Sequence, residues 1–237
     1  IQSYIRHAKL TPLKIADFIT LHRIKDYLEE SPEENGILKS WDHNELSNSL
    51  IDINEVLISK DWNSEVNKAL DSANNLEFWN GKQAAKKLDI DISCTLWNRL
   101  EKFPLDSTSW YDITTYIKHD TPQRLVDKAI GLIPIEELST GPKDSMGVGP
   151  DWQKHQSLDY VITFLENYPT VGEEVIIAGL NSPVIRNRNM TLKTLQSWTS
   201  DNWSEKIITE LKKLREIEPT EDTKADLVKL LNGEKIE

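Results

Sequence analysis

Residues 182–198 read Ser-Pro-Val-Ile-Arg-Asn-Arg-Asn-Met-Thr-Leu-Lys-Thr-Leu-Gln-Ser-Trp. Ser followed by Pro is a helix-start signal. The hydroxyl can accept from unpaired amides at a helix N-terminus, and Pro at the first helical position gives up no hydrogen bond. On a wheel of about 100° per residue with Ile185 at zero, Leu192 falls at about 340°, Leu195 at about 280°, Val184 at about 260° and Trp198 at about 220°. These residues form one apolar stripe. Arg188 falls at about 300°, inside it. An arginine in that position has to meet a carboxylate or backbone carbonyls, because an unpaired buried charge is very costly. Two readings follow: a polar tie between helices, or an anion-binding arginine whose fork suits carboxylate or phosphate. Arg186, at about 100°, is expected in solvent.

Working outward, the same grammar repeats. Thr121-Pro122 opens a stripe of Leu125, Val126, Ala129, Ile130 and Ile133, and Trp152 to Asn167 carries Leu158, Val161, Ile162 and Leu165 inward. Val171 to Leu180 is another helix, Ser204 caps Glu205 to Ile217, and Thr220 caps a last helix that Asn232-Gly233 stops. Upstream, Thr11-Pro12 leads Leu13, Phe18, Leu21, Ile24 and Leu28, and Ser31 to Gly36 is a turn. Leu46, Leu50, Ile53 and Leu57 share a helix face, Ser64 is positioned to cap a helix, and another helix is predicted from Gly81 to Leu88. Ile92 to Phe103 follows, stopped by Pro104, and then a short helix from Trp110 to Ile117. No alternating runs joined by a hairpin turn are present. The fold class is all-α. Ser139 to Pro150, with two Gly/Pro clusters, reads as an exposed or mobile loop. It divides residues 1–138 from 152–237 as two helical blocks of one continuous array, with the loop at 139–151.

Lys and Arg total 28 against 39 Asp and Glu, a net charge of −11. That field opposes broad binding to nucleic acid or anionic lipid. No stretch approaches the ~20 apolar residues of a membrane span. The chain opens on Ile1 rather than Met, as it would if a segment preceded it. A single cysteine, Cys94, excludes an intramolecular disulfide and suits a reducing, cytoplasmic setting. It falls in an apolar helix pattern and reads as a small core residue.

Three helix starts look alike: Thr121-Pro122-Gln123-Arg124-Leu125-Val126, Ser182-Pro183-Val184-Ile185-Arg186 and Glu218-Pro219-Thr220-Glu221-Asp222. The last two prolines lie about 36 residues apart, near the length of one two-helix repeat. The stretch from Ser182 to Arg186 resembles the opening of the second helix of a HEAT repeat, and Pro219 with Lys224, Ala225 and Leu227 resembles a degenerate copy. The likeness covers residues 121–233. Ser182 stands where that family usually has Asp, and the spacing of the starts is irregular. The resemblance implies an α-solenoid whose concave face binds another macromolecule. Some HEAT-like proteins are enzymes, among them a DNA glycosylase group and bilin lyases, but no motif here carries either activity over.

Candidate binding residues are Trp152, His155, Arg186, Asn187, Arg188 and Trp198. Trp152 borders the long loop and is the best exposed aromatic anchor among eight Trp. Trp62 and Trp203 precede helix starts as staples. Asp151-Trp152 and His155 put donors and an acceptor on one turn without a nucleophile beside them. None of the five His forms a zinc-type pair, His119-Asp120 is an isolated dipeptide, and neither a metal nor another cofactor is expected. The expected function is a protein-interaction module that meets a basic surface or a peptide on its concave face. The alternatives are an enzyme on a HEAT scaffold acting on a base or small molecule, and an acidic inhibitor or immunity protein.

Overall fold

The apolar stripes form helices throughout a computed structural model, which describes residues 1–29, 43–116 and 122–236. Among these residues there are fourteen α-helices, no strand, and a single isolated bridge between Ser145 and Val184. Residues 31–36, Trp41, His119 and Thr121 lie outside the described residues. The chain divides into two compact units, Ile1–Thr95 and Leu96–Glu237.

In the first unit, α1 (Gln2–Leu10), α2 (Ile15–Glu29) and α3 (His43–Ile58) close around Ile5, Ala8, Leu21, Leu28, Ile53 and Val56. Each of the buried Ile, Leu and Val side chains contributes about 1.5–3 kcal/mol. α4 (Trp62–Leu70) and α5 (Asn75–Lys87) complete the unit. Asp61, not Ser64, caps α4, accepting from the Asn63 amide. Asn74 caps α5, accepting from Leu76 and Glu77. The helix predicted to start at Gly81 therefore begins six residues earlier. Gly81 instead lets α4 and α5 approach closely, since a Cβ there would lie 3.0 Å from the Leu70 amide nitrogen and 3.1 Å from Ala69 Cβ. Trp62 is the first residue of α4, and its indole donates back to Leu57 O at 2.7 Å, tying the helix to the preceding one rather than to its own next turn.

The boundary of the second unit falls in the first turn of α6 (Ser93–Lys102). Cys94 is exposed, a correction to its expected core position: α6 buries Leu96, Trp97, Arg99 and Leu100, and Cys94 lies on the other side of the wheel. Then come α7 (Ser107–Tyr116), α8 (Pro122–Leu132), α9 (Ile135–Leu138), α10 (Gln153–Leu165), α11 (Glu173–Leu180), α12 (Ile185–Trp198), α13 (Glu205–Ile217) and α14 (Glu221–Leu231). Neighbouring helices form two rows. α7, α10, α12 and α14 pack side by side in one, and α8, α11 and α13 in the other, with α10 on α11, α11 on α12 and α13 on α14 across the rows. Gly179 makes the crossing of α11 on α12 tight, since a Cβ there would meet Thr191 Oγ1 at 2.1 Å and Ile162 Cδ1 at 2.7 Å.

The irregular stretch 139–149 lies inside the second unit. Lys143, Asp144, Met146, Val148 and Gly149 are exposed, as expected of a loop. Its backbone is nevertheless fastened: the Gly141 amide donates to Asn181 O at 2.9 Å, the Ile185 amide donates to Ser145 O at 2.9 Å, and Lys143 O accepts from Arg188 at 3.1 Å. This docking explains why α12 starts at Ile185 rather than at Pro183. Val184 is extended and bridges to Ser145 of the loop, and the Ser182 hydroxyl accepts from the Val184 amide at 3.1 Å instead of capping the helix.

Candidate functional site

Arg188 is completely enclosed, as is its partner Glu218, both with 0 % side-chain exposure. The guanidinium donates to the carboxylate through Nε and Nη2, each at 2.7 Å. Its remaining donors reach Ser182 O at 2.8 Å and Lys143 O. Glu218 Oε1 also accepts from the Thr220 amide at 3.1 Å. One arginine thus joins α12, the 139–149 stretch, the turn before α12 and the turn between α13 and α14. Of the two readings of Arg188, this geometry is the polar tie.

A second cluster starts at the adjacent residue and shares Ser182 with the first. Asn187, on the buried face of α12, reaches into α10. Its Nδ2 donates to His155 O at 2.8 Å and to Asp159 Oδ1. Its Oδ1 accepts from Ser182 Oγ at 2.7 Å and faces His155 Nδ1 at 3.0 Å. The amide orientation is set by the Asp159 carboxylate, so the proton of His155 sits on Nδ1. Burial pushes the His155 pKa below the ordinary histidine value, and the nearby cations Lys154 and Arg186 push the same way against the hydrogen bond to Asn187. Histidine is therefore neutral here at pH 7. Burial raises the Asp159 pKa above the usual carboxylate range, opposed by Arg186 and by the hydrogen bond from Asn187.

The cluster ends at the surface in Arg186. Its Nε donates to Asp159 Oδ2, and the side chain is 38 % exposed. Neither terminal amino group has a hydrogen-bond partner among the described residues. These groups border a groove of about 600 Å³ between α7, α10 and α12. Its walls are Tyr111 and Tyr160, with ring centroids 5.4 Å apart, and Phe164 and Tyr168, 4.8 Å apart, with Met190 beside Thr163. Among the described residues that line it, only Asp159 is acidic and only Arg186 is basic.

Of the six candidate residues, four are buried in the second unit: His155, Asn187, Arg188 and Trp198. Trp198 donates its indole N–H to Leu165 O at 2.7 Å, joining α12 to α10. Trp152 is half-buried, its ring 5.0 Å from that of His155, and Arg186 is the candidate that enters the groove. Ser182 and His155 come within 3.4 Å, but Ser182 is fully enclosed and its hydroxyl is committed to Asn187 and the Val184 amide. That pair is structural. Among the described residues, no three His, Cys, Asp or Glu side chains converge as a metal site.

The aromatic wall was not among the sequence candidates, although a signal existed. Gln156, Tyr160, Thr163, Phe164 and Asn167 recur at intervals of three and four, opposite the apolar stripe of α10. The closing of α7 over that face had no such signal. Comparison of the chain with protein-family models, with curated proteins and with solved structures finds no match.

Proposed function

We propose that the second unit is a HEAT-like helical-repeat module that binds a protein partner in the groove between α7, α10 and α12. The two-row packing of alternate helices supports the repeat reading, since solenoids stack helix pairs so that each contacts its neighbours. The observation that carries the binding reading is the groove itself. A cation on α12, held from behind by a buried carboxylate, shares the groove with Tyr111 of α7, Tyr160 and Phe164 of α10, and Tyr168 of the turn that follows α10. Rigid aromatic and arginine side chains are the residue types that dominate protein interfaces. Trp152, half-buried just before α10, is a further aromatic side chain we assign to the contact surface. The net charge of −11 favours long-range approach of a partner that is basic overall, so association should slow as salt rises.

Photo-cross-linking from the groove tests this. p-Benzoylphenylalanine in place of Tyr160 should give a discrete adduct in the source cell, and the same probe at exposed Lys212 should not. The cross-linked protein, once purified, should bind the chain directly, and Tyr160→Ala should weaken that binding about tenfold or more. Equal adducts from both positions, or an affinity that Tyr160→Ala leaves unchanged, would remove the groove from the interface.

A further inference from the structure

The groove's chemistry is more specific than its shape. Asp159 is buried and both its oxygens are taken, Oδ1 by Asn187 and Oδ2 by Arg186 Nε. Burial and these two bonds leave it little to offer an incoming group. Arg186 keeps both terminal amino groups, and its guanidinium cannot swing away without leaving Asp159 with unpaired charge in a buried setting. The remaining lining is uncharged: Thr, Gln, Asn, Tyr, Phe and Met. The accessible charge in the groove is thus positive, on a chain whose net charge is −11.

We propose that this groove takes an acidic peptide segment, with a side-chain carboxylate on the Arg186 amino groups and an adjacent aromatic or aliphatic residue among Tyr111, Tyr160 and Phe164. This rests on the docking reading above and names the chemistry of the anchor. Three physical points select it. A planar guanidinium with free N–H donors matches a carboxylate by charge-assisted hydrogen bonds. One arginine already paired with the Asp159 carboxylate suits at most a single further negative charge, whereas a doubly charged phosphate or a nucleic-acid backbone would meet the repulsion of the acidic surface. The flanking rings touch in pairs and form an apolar wall against which a neighbouring side chain can lie, a contact that a free small acid would not make. A partner that is basic overall and carries one acid beside an apolar residue satisfies both the long-range field and the local anchor.

The test uses the full chain, labelled with ¹⁵N, and three capped pentapeptides: acetyl-Ala-Phe-Glu-Leu-Ala-amide, its Gln version and its Lys version. The Glu peptide should shift the Arg186 Nε–H resonance and the Tyr160 and Phe164 amides saturably. The Gln peptide should bind about tenfold more weakly or worse, and the Lys peptide more weakly still. Arg186→Gln should abolish the preference for Glu over Gln, and Arg186→Lys should restore part of it. Should Arg186→Gln perturb the fold, the ranking of the three peptides on the wild-type chain still decides. Equal binding of the Glu and Gln peptides, or tighter binding of the Lys peptide, overturns the carboxylate anchor and leaves the docking reading standing. Absence of saturable shifts with all three peptides also overturns it, and the Tyr160 cross-linking result then decides the docking reading separately. Sodium acetate at matched concentration separates a peptide from a bare carboxylate. Acetate that competes with the Glu peptide at equal concentration would show that the rings contribute nothing and would overturn the peptide assignment.

Discussion

The two units are held together in different ways. In the first, apolar side chains from α1, α2 and α3 form the core, and ion pairs such as Lys9 with Asp52 and Glu55, or Lys87 with Asp26, lie outside it. The second unit has a comparable apolar core but also encloses Arg188 with Glu218, and His155 with Asn187, Asp159 and Ser182. Apolar contacts tolerate small slides of one helix on another; hydrogen bonds with fixed donors and acceptors do not. The polar interior therefore specifies one arrangement of α10, α12 and the α13–α14 turn. Its outermost member, Arg186, is held in place as a consequence.

The sharpest way to break this contrast is to remove half of the enclosed ion pair. Arg188→Ala leaves Glu218 charged and unpaired, and should destabilise the second unit by about 3–5 kcal/mol. Joint replacement, Arg188→Met with Glu218→Leu, should be milder than either single change, because no charge is then stranded. In the first unit, Lys9→Ala should leave Tm unchanged, since exposed pairs contribute little. Thermal unfolding of the three variants checks this; an unchanged Tm for Arg188→Ala would overturn the account of the polar interior.

A smaller effect should appear in pH dependence. His155 has a folded-state pKa below its unfolded value of about 6.5, so between the two the unfolded chain binds more protons. Stability is then greatest above about pH 6.5 and falls as pH drops toward the folded-state value. Asp159 works in the opposite sense: its folded pKa is raised, so the stability it takes away at neutral pH is regained as it protonates on acidification. His22 in the first unit is likewise lowered by burial. His155→Gln should reduce the loss of Tm between pH 7 and pH 5.5, and His22→Gln should reduce it by a separate increment. A pH profile unaltered by His155→Gln would show that the buried imidazole protonates without disturbing Asn187.

The smallest expected change has the opposite sign. Thr220 stands at the N-cap of α14, but its hydroxyl makes no cap bond and is buried without a partner among the described residues. Thr220→Val keeps the shape and removes the unpaired group. It should be neutral or stabilising by up to about 1 kcal/mol, read from the denaturant midpoint at constant slope. A loss of stability would mean that the hydroxyl is hydrogen-bonded to water in solution.

The helices were legible because their signal is local. Periodic apolar residues, Ser204 as a cap that accepts from the Ile207 amide, and Asn232-Gly233 as a stop with Gly233 at positive φ all depend on a few neighbouring residues. Helix starts were less legible where the capping residue lay upstream of the apolar run, at Asp61 and Asn74, or where a loop docked on the start, as at Ser182. The enclosed position of Arg188 was also readable, since its angle on its own helix places it in the apolar stripe. The identity of its partner was not. Glu218 lies 30 residues away, and whether it meets Arg188 depends on how α13 packs and turns.

By itself, the sequence determined most of the helical segments and, Cys94 and Ile130 apart, which face of each turns inward, because both follow from spacing along one chain segment; the short helices α1 and α9 had no such reading. Only the tertiary structure decided that Asp159, 27 residues before Arg186, would take its Nε and leave the amino groups open. It alone brought Tyr111 of α7 to Tyr160 of α10 to make the groove. Those outcomes depend on the distance and angle between helices, set by side-chain packing and by the docked 139–149 stretch, and no residue's own neighbours carry that information.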